Sequence, residues 1–246
     1  MLFRNRPTSS DYRHPGWAWR SKFLLLTLVL LAALPASSSG AQIPSMPFSL
    51  PFAGPPGPST WYVAQWYGST LWAHRNFEAI YSQGQGLHFG IDFAAPCGTP
   101  VHAIGDGVVF SVDGPYGAAP HNVVINHQNG YLSLYGHLFQ RSNLKVGQQV
   151  SQGDVIGVSG DPVTQNCNQA SHLHLEIRRT GMNVAVDPVP LIAADWRSLT
   201  IGADTDGTHF ELFFADPGKW MTIAQQPETQ FGGPILNQSG AAWPPN

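Results

Sequence analysis

Between residues 86 and 190 the apolar positions do not hold a 3.6-residue period over any ten-residue window. They fall instead into short runs rich in β-branched and aromatic residues: 101–104, 107–112, 122–126, 131–135, 154–158 and 172–177. Gly, Pro, Asn and Asp punctuate these runs every 8–20 residues, as expected of strands joined by turns. Gln128-Asn129-Gly130 separates two of the runs and predicts a hairpin. The pattern predicts an all-β domain, mostly antiparallel. A helix is expected over Trp61–Ala79. A second hairpin is expected in the tail, with arms 208–215 and 219–223 around Asp216-Pro217-Gly218.

The N-terminal pattern is different. Basic residues lead to Lys22, an apolar run spans Phe23–Leu34, and small residues follow up to Ala41, with Ser39 and Ala41 at the positions a signal peptidase reads. The run is shorter than the ~20 residues a membrane span needs. Residues 1–41 are therefore read as a cleaved export signal, leaving no stable membrane span. Residues 42–85 read as a Pro-rich linker and lead-in segment, 42–60 as an extended strap rather than a packed element. Residues 193–246 read as a C-terminal extension.

Composition narrows the function classes. Only 11% of the 246 residues are charged, against about 25% in an average domain. Residues 1–41 hold five basic side chains against Asp11, and the rest of the chain holds 7 basic against 14 acidic. That body lacks the clustered cations needed for phosphate backbones, so no nucleic acid partner is expected. Ten histidines against twelve Lys and Arg point to metal or acid–base chemistry. The two cysteines, Cys97 and Cys167, suit a disulfide in an exported protein. Buried free thiols or metal ligation are the alternatives.

Candidate chemistry sits in two segments. On a strand, His172 and His174 project from one face while Leu173 and Leu175 enter the core. If His88-Phe-Gly-Ile-Asp92 is extended, His88, Gly90 and Asp92 share a face, and Gly90 leaves space between imidazole and carboxylate. Two imidazoles and one carboxylate are a catalytic zinc set with a fourth position open for water. One histidine of the His-x-His pair is left over, and His137 adds another at a strand end, as proton transfer requires. His127 is read as structural, His102 as a packing or surface residue, and His74, His121 and His209 as surface residues. Trp196, Trp220 and Trp243 are read as pins holding the extension to the core. Asp204-Thr-Asp206-Gly207 is read as a turn rather than a calcium loop.

These pieces occur in a fixed order: His88-x-Gly-x-Asp92, Gly98-Thr-Pro-Val101, Asp106-Gly-x-Val109, Asn126-His127-x-x-Gly130-Tyr131, Tyr135-Gly-His137-Leu138, the Val146–Gly157 glycine pattern and His172-Leu-His174-x-Glu176. The ordered set resembles the lysostaphin-type (LytM-like) zinc endopeptidases that cut peptidoglycan peptides, over residues 86–192. The resemblance implies a small antiparallel β-sandwich with a groove. It implies one zinc ion on His88, Asp92 and His174, with His137 and His172 as the catalytic acid–base pair. The expected protein is a secreted, monomeric peptidoglycan hydrolase of the cell envelope. Ser171, Leu175 and the loop 161–170 depart from the family pattern and bear on the groove wall. Two other readings stand beside it: a catalytically silent envelope module of the same fold that activates another hydrolase, and a biotinyl- or lipoyl-like carrier suggested by Lys145–Asp154. Zinc content separates the first reading from these two.

Overall fold

The computed structural model describes residues 46–162, 167, 169–196, 199, 210–212, 216, 218–233, 235–236 and 241–242. The export signal, His209, Trp243, the 204–207 turn and the side chain of Trp220 lie outside these residues.

The strands are β1 (Tyr62–Gln65), β2 (Ile91–Ala94), β3 (Pro100–His102), β4 (Gly107–Val112), β5 (His121–Asn126), β6 (Tyr131–Leu138), β7 (Gln149–Val150), β8 (Val155–Val158), β9 (His172–Arg179) and β10 (Val184–Val186). In the extension follow β11 (Phe210–Leu212), β12 (Lys219–Thr222), β13 (Glu228–Gln230), β14 (Ile235–Leu236) and β15 (Ala241–Ala242). Their pairings are all antiparallel. The large sheet runs β14-β13-β10-β9-β6-β5-β4-β7, with β2 paired to β9 and β1 paired to β2. β3 and β8 form a separate ribbon, and β11-β12-β15 a third sheet. The all-β, mostly antiparallel expectation holds, and the β11–β12 pairing is the tail hairpin read from sequence.

Strand parity explains the core. Leu173, Leu175 and Ile177 of β9 are fully buried and join Ile91, Phe93, Tyr135 and Leu138 in one cluster. Val101 from β3 and Ile156 from β8 enter the same cluster, so the ribbon covers the apolar face of the sheet. The opposite face of β9 presents His172, His174, Glu176 and Arg178. The hairpin between β5 and β6 turns at Gln128 and Gly130, both at positive φ.

Two expectations are corrected. The strap is packed: Phe48 and Phe52 are 2% and 6% exposed. Phe48 exchanges backbone hydrogen bonds with Leu191 and Ala193, and Phe52 stacks on Trp61 at 5.7 Å. Prolines removed donors but left aromatic side chains whose burial holds the segment down. The helix over 61–79 is also wrong. Residues 62–65 add strand β1, Gly68 at φ 90° bridges to His88, and only Leu71–Arg75 is α-helical, capped by the Thr70 side chain. A π-helical turn, Phe77–Tyr81, follows. Among the described residues no helix is long and apolar enough to cross a membrane.

Candidate metal centre

Register builds the site. Asp92 on β2 stands directly opposite His174 on β9, and Gly136 on β6 stands opposite His174 from the other side. His88 is not inside a strand. It forms an isolated bridge to Gly68, the chain bends at Gly90, and β2 starts at Ile91. The imidazole and carboxylate still converge, with His88 Nε2 3.3 Å from Asp92 Oδ1. A Cβ on residue 90 would meet Leu175 O at 2.5 Å and His174 Cε1 at 2.9 Å, so the glycine is needed for close approach.

His88 Nε2, Asp92 Oδ1 and His174 Nδ1 form one small triangle. The other two edges are 3.2 Å from His88 to His174 and 2.7 Å from His174 to Asp92. All three residues are buried, and their ligand-type atoms make a group that could hold a metal ion. The far side of each imidazole is anchored. His88 Nδ1 lies 2.7 Å from the Trp66 carbonyl, so Nδ1–H donates and Nε2 presents a lone pair. His174 Nε2 lies 3.1 Å from Glu176 Oε1, which orients Nδ1 inward in the same way.

The electrostatics follow from this packing. Burial raises the pKa of Asp92, but His88 and His174 overcome it and hold the carboxyl well below its usual range. Burial alone would lower His174, yet Asp92 and Glu176 bring it up to about 10. Burial likewise opposes ionisation of Glu176, and Arg178 with His174 pulls it down to about 2. The two carboxylates thus favour the protonated His174 ring, with Nδ1 against Asp92 and Nε2 against Glu176.

His137 and His172 sit at the edge of this group. Their rings are 4.8 Å apart, and His137 is 5.7 Å from His174. His172 Nε2 is 3.8 Å from Asp92 Oδ1, and His172 Nδ1 lies 2.6 Å from the Ala170 carbonyl. His137 Nδ1 donates to the Ala119 carbonyl. Burial, then the neighbouring His174 and His172, lower His137 to about 4, so its ring is neutral at pH 7. His172 thus turns Nε2 toward the group, and the His137 ring lies beside it with Nδ1 tied to the backbone.

The five residues line a groove with two lobes of about 770 and 780 Å³, which share Trp72, Asp92, Ala170 and His172. Cys97 and Cys167 form a disulfide across 70 residues, tying the end of β2 to the loop before β9. The remaining histidines are elsewhere. His127 bridges the Asp106 carbonyl and Ser133 Oγ, His102 reaches the Gly153 carbonyl, His121 pairs with Asp113, and His74 is exposed. Trp196 is buried against Trp66 and donates to the Val189 carbonyl, a pin as expected. The sequence reading gave no role to Glu176, Arg178 or the Trp66 carbonyl. Parity offered a signal for the first two, at two and four residues beyond His174 on the same face of β9.

The peptidoglycan DD-endopeptidase ShyA of Vibrio cholerae serotype O1 is 40% identical over 110 residues, 44% of this chain and 24% of that protein. The DD-carboxypeptidase/endopeptidase Mpg of Neisseria meningitidis serogroup B is 42% identical over 98 residues, 40% of this chain and 21% of that protein. The chain therefore spans about a quarter or less of the length of these two relatives. Among solved structures, the catalytic domain of the antimicrobial peptidase lysostaphin from Staphylococcus simulans aligns at 28% identity and a TM-score of 0.40, covering 53% of this chain and 90% of that one. Residues 86–188, which carry all five groove residues, match the profile of Peptidase family M23.

Proposed function

We propose that the protein is a zinc metalloendopeptidase that hydrolyses peptide bonds in bacterial cell-wall peptidoglycan, outside the cytoplasm. The observation that carries this reading is the triangle of His88 Nε2, Asp92 Oδ1 and His174 Nδ1, with edges of 3.3, 3.2 and 2.7 Å. Zinc bonds of about 2.0–2.1 Å in a tetrahedron need ligand atoms roughly 3.3–3.4 Å apart. Two edges come close to that spacing, and the His174–Asp92 edge is shorter. Family M23 is a metallopeptidase family, and the two relatives above are named for endopeptidase or carboxypeptidase action. Work on the wall fits residues 1–41 as an export signal and a disulfide in the folded domain.

A zinc ion held by these three residues would polarise the scissile carbonyl and acidify a water to a pKa near 7. The remaining work falls to the chain. Asp92 and the two imidazoles leave one side of the triangle facing the groove, where the peptide lies. His137 and His172 both donate Nδ1–H to backbone carbonyls and keep Nε2 for the reaction. A neutral His137 accepts a hydrogen bond or a proton from the attacking water, and the pair returns a proton to the departing amine. Glu176 keeps His174 in the tautomer that presents Nδ1.

The filled ligand set and the adjacent imidazole pair favour an enzyme over a silent activator of the same fold. The test is mass spectrometry of peptidoglycan fragments after digestion. New amino termini should appear with the zinc-loaded protein and vanish after chelation. Intact cross-links with the zinc-loaded protein would leave the silent module as the better reading.

A further inference from the structure

Phe231 lies outside the M23 match, in the turn after β13. β13 extends the large sheet by pairing with β10. Phe231 N–H donates to the Asn183 carbonyl at 2.9 Å, and Gly232 N–H donates to the Gln83 carbonyl at 2.8 Å. These bonds seat the Phe231 ring against two supports of the metal centre. The guanidinium carbon of Arg178 is 4.3 Å from its centroid, and Phe89, the neighbour of His88, meets it at 5.1 Å with the rings 68° apart.

Arg178 is only 5% exposed. Its Nε donates to Glu176 Oε2 at 2.6 Å and its Nη2 to Glu176 Oε1 at 3.0 Å. Nη2 also reaches the Tyr116 carbonyl at 2.8 Å, and Nη1 the Met182 carbonyl at 3.2 Å. Glu176 Oε1 in turn holds His174 Nε2. A guanidinium so far from water needs every face covered, and an aromatic face attracts it most when it is desolvated. We propose that Phe231 is a positioning residue for the metal centre: its ring holds Arg178, Arg178 fixes Glu176, and Glu176 fixes the Nδ1 of His174. The C-terminal extension then forms part of the metal site rather than an appendage to it. This inference rests on the reading that His88, Asp92 and His174 hold zinc.

The full chain is loaded with zinc, and its affinity is measured against a chromophoric chelator for wild type, Phe231→Leu, Phe231→Tyr and Arg178→Lys. Phe231→Leu keeps apolar volume but loses the π face, and should weaken zinc about 2- to 30-fold. Phe231→Tyr keeps the face and should restore wild-type affinity. Arg178→Lys loses the bidentate fork and should weaken zinc about 10- to 100-fold. With Co²⁺ in place of zinc, the visible bands should shift in Phe231→Leu and stay in Phe231→Tyr. Thermal melts of the two Phe231 variants should agree, which separates positioning from packing. Wild-type affinity and bands in Phe231→Leu, or equal losses in Leu and Tyr, would overturn the inference alone. A wild-type protein that bound no zinc would overturn the site reading and this inference together.

Discussion

Asp92 and His174 face each other across the β2–β9 ladder, with His174 Nδ1 2.7 Å from Asp92 Oδ1. In the metal-free protein that contact is a charged hydrogen bond. His174, raised to about 10 by Asp92 and Glu176 against the effect of burial, keeps its proton at neutral pH. A metal must displace that proton from Nδ1. Zinc uptake below pH 10 therefore releases it, and affinity falls as pH falls. From pH 8 to pH 6 this one proton should weaken zinc by about 100-fold. Competition titrations at the two pH values check this, and an affinity that did not change would show that Nδ1 is not a ligand.

The two spare imidazoles should separate from the ligands on mutation. His137 has φ 58°, so Asn, which tolerates that backbone, is the better replacement there than Ala. His137→Asn and His172→Ala should retain zinc and lose ~10²- to 10⁴-fold in rate, the range for an acid–base group. Release of zinc by either variant would mean that ligand and proton-transfer roles had been exchanged.

The disulfide between Cys97 and Cys167 closes a loop of 70 residues. In the chain-entropy model that constraint contributes about 4 kcal/mol. It ties two groove-bordering loops but supplies no ligand atom to the triangle. Reduction should thus lower thermal stability more than zinc affinity, measured by calorimetry and metal titration on the same samples. Two titratable thiols in unreduced, unfolded protein would rule the bridge out.

Much of this site was legible because strand parity is a strict rule. His172 and His174 had to share a face, and Asp92 fell opposite His174 once β2 and β9 paired. The bend at Gly90 was not foreseen, since a bridge from His88 to Gly68 depends on a pairing 20 residues away in sequence. Glu176 was visible in the sequence, but its importance depends on Arg178 being buried beside it. The strap was misread for a related reason. Proline content reports the lack of backbone donors, whereas Phe48 and Phe52 report where the segment docks, and only the fold supplies their partners.

The strap also gives a stability prediction. Phe48 is 2% exposed, 4.6 Å from the His127 ring and 6.2 Å from Tyr131. Phe48→Ala should cost about 3–5 kcal/mol, as for other buried aromatic truncations. Urea unfolding with an unchanged slope would report this directly. A cost below about 0.5 kcal/mol, the range of surface substitutions, would return residues 46–60 to the status of a linker.

The central claim is that His88, Asp92 and His174 together hold one zinc ion. The most direct measurement is the metal content of the purified wild-type protein and of His174→Ala, by elemental mass spectrometry after dialysis against metal-free buffer. The wild type should carry one zinc per chain, and His174→Ala none while still folded by circular dichroism. Full zinc occupancy in His174→Ala would contradict the ligand assignment and the mechanism built on it.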